Sequence, residues 1–132
     1  MRILIIEDEF AALKKMEVLL TRYGHCDTAT NGYKARELYT QAIQDGRPYS
    51  LITIDIELPD TSGLDLLKYF SSVERKNPGS ACRKIMITAH SSANNVVGAA
   101  GLCNGFLTKP IKKEVLAKKL KALDITPQPD QD

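Results

Sequence analysis

Short apolar runs that alternate with stretches of helical periodicity constrain this chain more than any other feature of it. Residues 3–6 (ILII) are a continuous run rich in β-branched side chains, the pattern of a strand buried on both faces. Over residues 10–23, Ala12, Leu13, Met16, Leu19, Leu20 and Tyr23 fall on one side of a helix, and Gly24 stops it. Residues 25–29 read as a weak second strand, demanded mainly by the alternation. After the Asn31-Gly32 turn, Ala35, Leu38, Tyr39, Ala42 and Ile43 recur at helical spacing until Gly46 and Pro48. Residues 51–55 (LITID) predict the third strand and 59–63 a loop; the helix beyond it turns Leu64, Leu67 and Phe70 inward. Asn77-Pro78-Gly79 is a turn, and residues 85–88 (IMIT) are the fourth strand. Residues 91–101 read as a small-residue helix that Gly98 weakens, and residues 105–108 (GFLT) as the fifth strand. Pro110 breaks the chain before a last helix, from about 112 to 123, with Val115, Leu116, Leu120 and Leu123 on its inner face. Strands alternating with helices imply an α/β fold: a parallel sheet, doubly wound, with helices on both faces.

A chain of 132 residues has the size of one domain, and no internal repeat or linker divides it. The domain is expected to occupy residues 1–123, and residues 124–132 (DITPQPDQD) to form a polar, disordered tail. With 43% hydrophobic and 26% charged residues the chain can bury a core without disulfides or a structural metal. Cys26, Cys82 and Cys103 are odd in number and lack metal-ligand spacing, so they read as free thiols in a reducing compartment. No stretch has the length of a signal-peptide core or a membrane span, and a cytoplasmic protein without a membrane partner is expected. The net charge of +2 is too small to argue for nucleic acid. Lys112, Lys113, Lys118, Lys119 and Lys121 on the last helix read as a solvated face, or as one that steers an acidic partner.

In an open parallel sheet, ligands bind beyond the carboxyl ends of the strands, near the point where strand order reverses. The residues expected there are chemically selective. Glu7 and Asp8 follow strand one, Asp55 ends strand three, Thr88 ends strand four, and strand five leads into Lys109. Each alone has an ordinary reading: Asp8 or Glu9 as a helix cap, Thr88 or Lys109 as a solvated rim residue. Together they form a set with one chemistry. Three carboxylates held close repel unless a cation joins them, and hard oxygen ligands favour Mg²⁺ or Mn²⁺. A lysine and a threonine then suit the remaining oxygens of a phosphoryl group, and a carboxylate can itself attack phosphorus.

These residues carry a family likeness. ILIIEDE, LITIDIELPDTSGLDLL, IMITAH and GFLTKPI, in this order and spacing, resemble the receiver domains of bacterial two-component response regulators, over about residues 1–123. The resemblance is to the single-domain, chemotaxis-regulator-like kind. It implies the flavodoxin-like (βα)5 receiver fold, a five-stranded parallel sheet in the order 2-1-3-4-5. Asp55 would be the phosphoacceptor, charged from a phosphohistidine on a sensor histidine kinase or histidine phosphotransfer protein. Glu7, Asp8, Asp55 and the main-chain carbonyl of Glu57 would hold Mg²⁺; Glu7 stands where many members have Asp, and its longer arm would act through a water. Lys109 would pair with the phosphoryl group, and the Lys109–Pro110 peptide bond would be cis. Thr88 and Phe106 would be the switch residues, changing the surface of the family's helix 4, strand 5 and helix 5 to control a partner protein. Glu57 and His90, two residues after Asp55 and Thr88, would flank the path of an attacking water; they read either as residues that tune dephosphorylation, by orienting or obstructing that water, or as solvated rim residues. Thr61-Ser62-Gly63 departs from the commonest loop, which has an acid or Asn before the glycine, and is expected to affect the turn and not the chemistry.

Other readings differ in class. A haloacid-dehalogenase-type phosphohydrolase also has a strand-end Asp with an acid two residues on, as Asp55-Ile56-Glu57 does, but its nucleophile ends the first strand and it needs room for a cap. A flavodoxin-like cofactor site would put phosphate beside Glu7-Asp8-Glu9, which would repel it. A receiver-like module that binds partners without phosphorylation is the third; the intact set of five argues against it. The chain is therefore expected to be a signalling phosphoacceptor, not an enzyme, with output by protein contact and no direct DNA binding.

Overall fold

The computed structural model describes residues 1–89 and 101–129. Its elements run β1 (Arg2–Ile6), α1 (Phe10–Leu20), β2 (His25–Ala29), α2 (Gly32–Gln44), β3 (Leu51–Asp55), α3 (Gly63–Lys76), β4 (Arg83–Thr88), β5 (Gly105–Thr108) and α4 (Lys113–Ala122). The five strands are parallel and lie in the order β2-β1-β3-β4-β5. Apart from Gly101, the helix read at 91–101 falls outside the described residues.

Strand alternation sorts the apolar runs into two cores. Leu4, Ile6, Ile52, Ile54 and Met86 face α2 and α3, where Tyr39 and Phe70 stack with ring centroids 4.4 Å apart. Ile3, Ile5, Leu51, Ile85, Ile87 and Leu107 face α1 and α4. Each such side chain, fully buried, contributes roughly 1.5–3 kcal/mol of transfer free energy. The continuous runs are therefore a consequence of the double winding: past the leading arginines Arg2 and Arg83, every residue of β1, β3 and β4 is buried. β2 is an edge strand and correspondingly polar. Its Asp27 accepts from the Tyr49 hydroxyl at 2.7 Å and from an Arg2 guanidinium nitrogen at 3.1 Å.

Helix phase differs from the sequence expectation in three places. α1 ends at Leu20, where the Thr21 hydroxyl donates to the Glu17 carbonyl, although Tyr23 is still buried. In α3, Leu66 shares the inner face with Leu67 and Phe70, and Leu64 is only half-buried. In α4, Leu116 and Leu120 form a narrow i, i+4 stripe, and Val115, one position round the helix, is 50% exposed. Beyond α4, Ile125 is 1% exposed in the α1–α4 core, and the Gln128 N–H donates to the Arg22 carbonyl at 2.8 Å. The sequence predicts a polar tail over 124–132; in its described part, residues 124–129, Ile125, the one apolar side chain, packs back onto the fold.

Candidate functional site

Strand order reverses at β1 and β3, so the helices after these two strands leave by opposite faces and open a crevice beyond their carboxyl ends. An open cleft of about 640 Å³ lies there, lined by Asp8, Asp55, Glu57, Thr88 and Lys109 among others. Glu7 still belongs to the sheet: its N–H donates to the Ala29 carbonyl at 3.0 Å, and it is 4% exposed. Asp8, the next residue, is exposed. Asp55 is 7% exposed, and one of its carboxylate oxygens accepts from the Glu57 N–H at 3.2 Å. Thr88 is buried at the end of β4, and its carbonyl accepts from the Lys109 N–H at 2.8 Å, carrying the ladder one residue past β5. The Lys109–Pro110 peptide bond is cis. Five residues separated by up to a hundred positions therefore meet because four adjacent parallel strands end at one rim.

The electrostatics centre on Lys109. Its Nζ lies 2.7 Å from Glu7 Oε1 and 3.2 Å from Asp55 Oδ2. Burial pushes the ammonium down, but the hydrogen bond to Glu7 and the charge of Asp55 outweigh it, and its pKa stands above the ordinary value. The Glu7 carboxyl is raised, first by burial and then by the neighbouring Asp55, with Lys109 partly offsetting both. Glu7 Oε2 also accepts from the Glu9 N–H at 3.2 Å, and neither Asp8 nor Glu9 caps α1 with its side chain. Glu7, Asp8 and Asp55 each offer an oxygen within 4.8 Å of the others, the one such cluster among the described residues. Three carboxylates against one ammonium leave a formal charge of −2. An all-oxygen donor set with that deficit fits a hard divalent cation.

The remaining residues singled out in the sequence are placed as follows. Phe106 is half-buried on β5, opposite Met86 and against the α2–α3 core. The Glu57 side chain is exposed at the cleft. His90 lies outside the described residues, as does all but Gly101 of the helix in the surface expected to change shape. Ser62, in the departing loop, caps α3 by accepting from the Asp65 N–H at 3.0 Å. Sequence reasoning missed Asp60. Its carboxylate accepts from the Gly32 and Tyr33 N–H groups at the start of α2. An acid after a loop proline is a weak signal by itself, and nothing local says that a helix 28 residues earlier is its partner.

A doubly wound parallel sheet whose rim gathers three carboxylates and a lysine defines a class of α/β domains with a candidate ligand site at the strand ends, and comparison with known proteins narrows it. The profile of the response regulator receiver domain matches residues 3–121, and the chain belongs to that family, the receivers of two-component systems. It is similar to the cell cycle transcriptional regulator CtrA of Caulobacter vibrioides, 30% identical over 129 residues, covering 93% of this chain and 50% of CtrA. It is also similar to the response regulator protein PilR of Pseudomonas aeruginosa, 35% identical over 126 residues, covering 89% of this chain and 26% of PilR. Among solved structures, a CheY-like response regulator receiver domain from Methylobacillus flagellatus superposes with a TM-score of 0.74 at 29% identity, covering 92% of this chain and 97% of that one. The chain thus spans about half the length of CtrA and about a quarter of PilR. Among the described residues no helix is long and apolar enough to cross a membrane.

Proposed function

We propose that this chain is a reversible phosphoryl carrier. Asp55 takes a phosphoryl group from a phosphohistidine of a sensor histidine kinase or histidine phosphotransfer protein. Mg²⁺, or Mn²⁺, is held by Glu7, Asp8, Asp55 and the main-chain carbonyl of Glu57. The observation that carries this reading is the meeting of three carboxylates and one ammonium at a single rim, with Asp55 buried among them. An Asp55 carboxylate oxygen forms a bond to phosphorus as the phosphorus–nitrogen bond breaks, and the imidazole nitrogen keeps the electron pair. The bound cation supplies charge neutralisation at the phosphoryl oxygens. Lys109 moves from Glu7 to one of those oxygens, and the Thr88 hydroxyl donates to another.

The same reading assigns the switch to Thr88 and Phe106. Their movement changes the surface of the family's helix 4, strand 5 and helix 5, to which β5 and α4 belong here, and a downstream protein reads it in the cytoplasm; the chain itself binds no DNA. Glu57 and His90 tune the water that removes the phosphoryl group. The chain is a phosphoacceptor and not an enzyme acting on a separate substrate. The test is intact-mass measurement after incubation with a small acyl phosphate and Mg²⁺. Wild type is expected to gain one phosphoryl group, and Asp55→Asn none. No gain by wild type, or an equal gain by Asp55→Asn, would overturn the reading.

A further inference from the structure

The loop that joins β3 to α3 is fastened to a helix to which it does not belong. Asp60, exposed in that loop, turns both carboxylate oxygens onto the first turn of α2. Oδ1 accepts from the Gly32 N–H at 2.7 Å, and Oδ2 from the Tyr33 N–H at 2.9 Å. The helix's own cap, Asn31, accepts from the Lys34 N–H at 2.8 Å. Three of the four donors that a helix leaves unpaired at its start are thus shared between a local cap and a distant one. The Gly32 hydrogen bond, with the Tyr33 one behind it, holds the Asp60 carboxyl below its ordinary range, so it is ionised at neutral pH.

Packing repeats the contact. Gly32 is buried, and a Cβ there would stand 2.2 Å from Thr61 Cγ2, so a side chain at 32 would force the Thr61 side chain aside. At its base the loop is tied by the Gly63 N–H to the Ile56 carbonyl at 2.7 Å and by the bridge between Glu57 and Ser62. Asp60 supplies the tie further out. Glu57, one end of that bridge, also donates its N–H to the Asp55 carboxylate at 3.2 Å.

We infer that Asp60 is a positioning residue for the phosphoacceptor site: by clamping loop 56–62 onto α2, it holds the backbone after Asp55 in the geometry that cation binding and phosphoryl transfer need. The inference rests on the phosphoacceptor reading above and adds to it a residue that touches neither the cation nor the phosphoryl group. Partners of this indirect kind typically cost about tenfold or more in metal affinity or activity when removed.

Mg²⁺ binding by calorimetry, the initial rate of phosphorylation by a small acyl phosphate, and amide exchange over residues 56–62 test it on wild type, Asp60→Ala, Asp60→Asn and Asn31→Ala. Asp60→Ala is expected to weaken Mg²⁺ binding about tenfold, to slow phosphorylation at saturating Mg²⁺ by a similar factor, and to speed exchange in the loop. Asp60→Asn, which keeps one acceptor oxygen, should fall between. Asn31→Ala frays the same end of α2 without touching the loop and should leave Mg²⁺ affinity within twofold of wild type. If Asp60→Ala binds Mg²⁺ and is phosphorylated like wild type, or if Asn31→Ala loses as much, the inference is overturned while the phosphoacceptor reading stands. Wild type that neither binds Mg²⁺ nor gains a phosphoryl group removes both.

Discussion

At the scale of single residues, the chain separates ionic groups that serve the rim from those that serve the fold. Lys109, Glu7 and Asp55 are poised against one another, and their charges are unbalanced. Asp27, on the edge strand, is satisfied. Burial would raise its carboxyl, but the Tyr49 hydroxyl, Arg2 and His25 prevail and hold it below its ordinary value of 3.8. A carboxyl whose folded pKa is depressed stabilises the fold above its unfolded pKa and loses that contribution as pH falls through the folded value. Urea unfolding of wild type should therefore show stability that declines below about pH 4. Asp27→Asn should be less stable at pH 7 and decline less steeply over the acid range. Tyr49→Phe should cost about 2 kcal/mol at pH 7 by removing a hydrogen bond to a charged acceptor. A full acid decline in Asp27→Asn would show that other carboxyls carry it.

At the scale of elements, strand ends and helix starts were the legible parts. β3 and β5 lie where their apolar runs predict, because a strand buried on both faces cannot shift without exposing one. Helix phase was less legible, since α3 begins where β3's backbone lets it. Gly63 sits against that backbone: a Cβ there would stand 2.7 Å from the Asp55 carbonyl oxygen and 2.9 Å from Ile56 Cα. Neither atom can give way without moving the end of β3. Gly63→Ala should cost about 2 kcal/mol in urea unfolding, as overpacking does. It should also slow phosphorylation of the fraction that remains folded, because the strained atoms adjoin the acceptor. A destabilised variant with wild-type phosphorylation kinetics would mean that the loop, not the strand, absorbs the added methyl.

At the scale of the whole molecule, the proposed cation would couple the rim to the fold. Its carboxylates come from two central strands, so a cation that joins them ties β1 to β3 in the folded state only. Mg²⁺ at a hundred times its dissociation constant should add about 2.7 kcal/mol of stability and raise Tm. EDTA should remove the gain, and Asp8→Asn, whose side chain is exposed, should abolish most of it without lowering the metal-free Tm. An unchanged Tm with Mg²⁺ in wild type would show that no cation binds at millimolar concentration.

The sequence by itself determined the layered α/β fold, the positions of the strands along the chain and the candidate set Glu7, Asp8, Asp55, Thr88 and Lys109, because all of these follow from local periodicity and from what stands at a strand's end. Tertiary structure alone decided three other things. It turned Val115 outward and drew Ile125 inward, since a helix stripe is only as wide as the neighbour that covers it. It closed Lys109 onto Glu7 as well as Asp55, a choice set by side-chain reach across three strands. And it paired Asp60 with the start of α2, a contact between groups 28 residues apart that only packing can bring together.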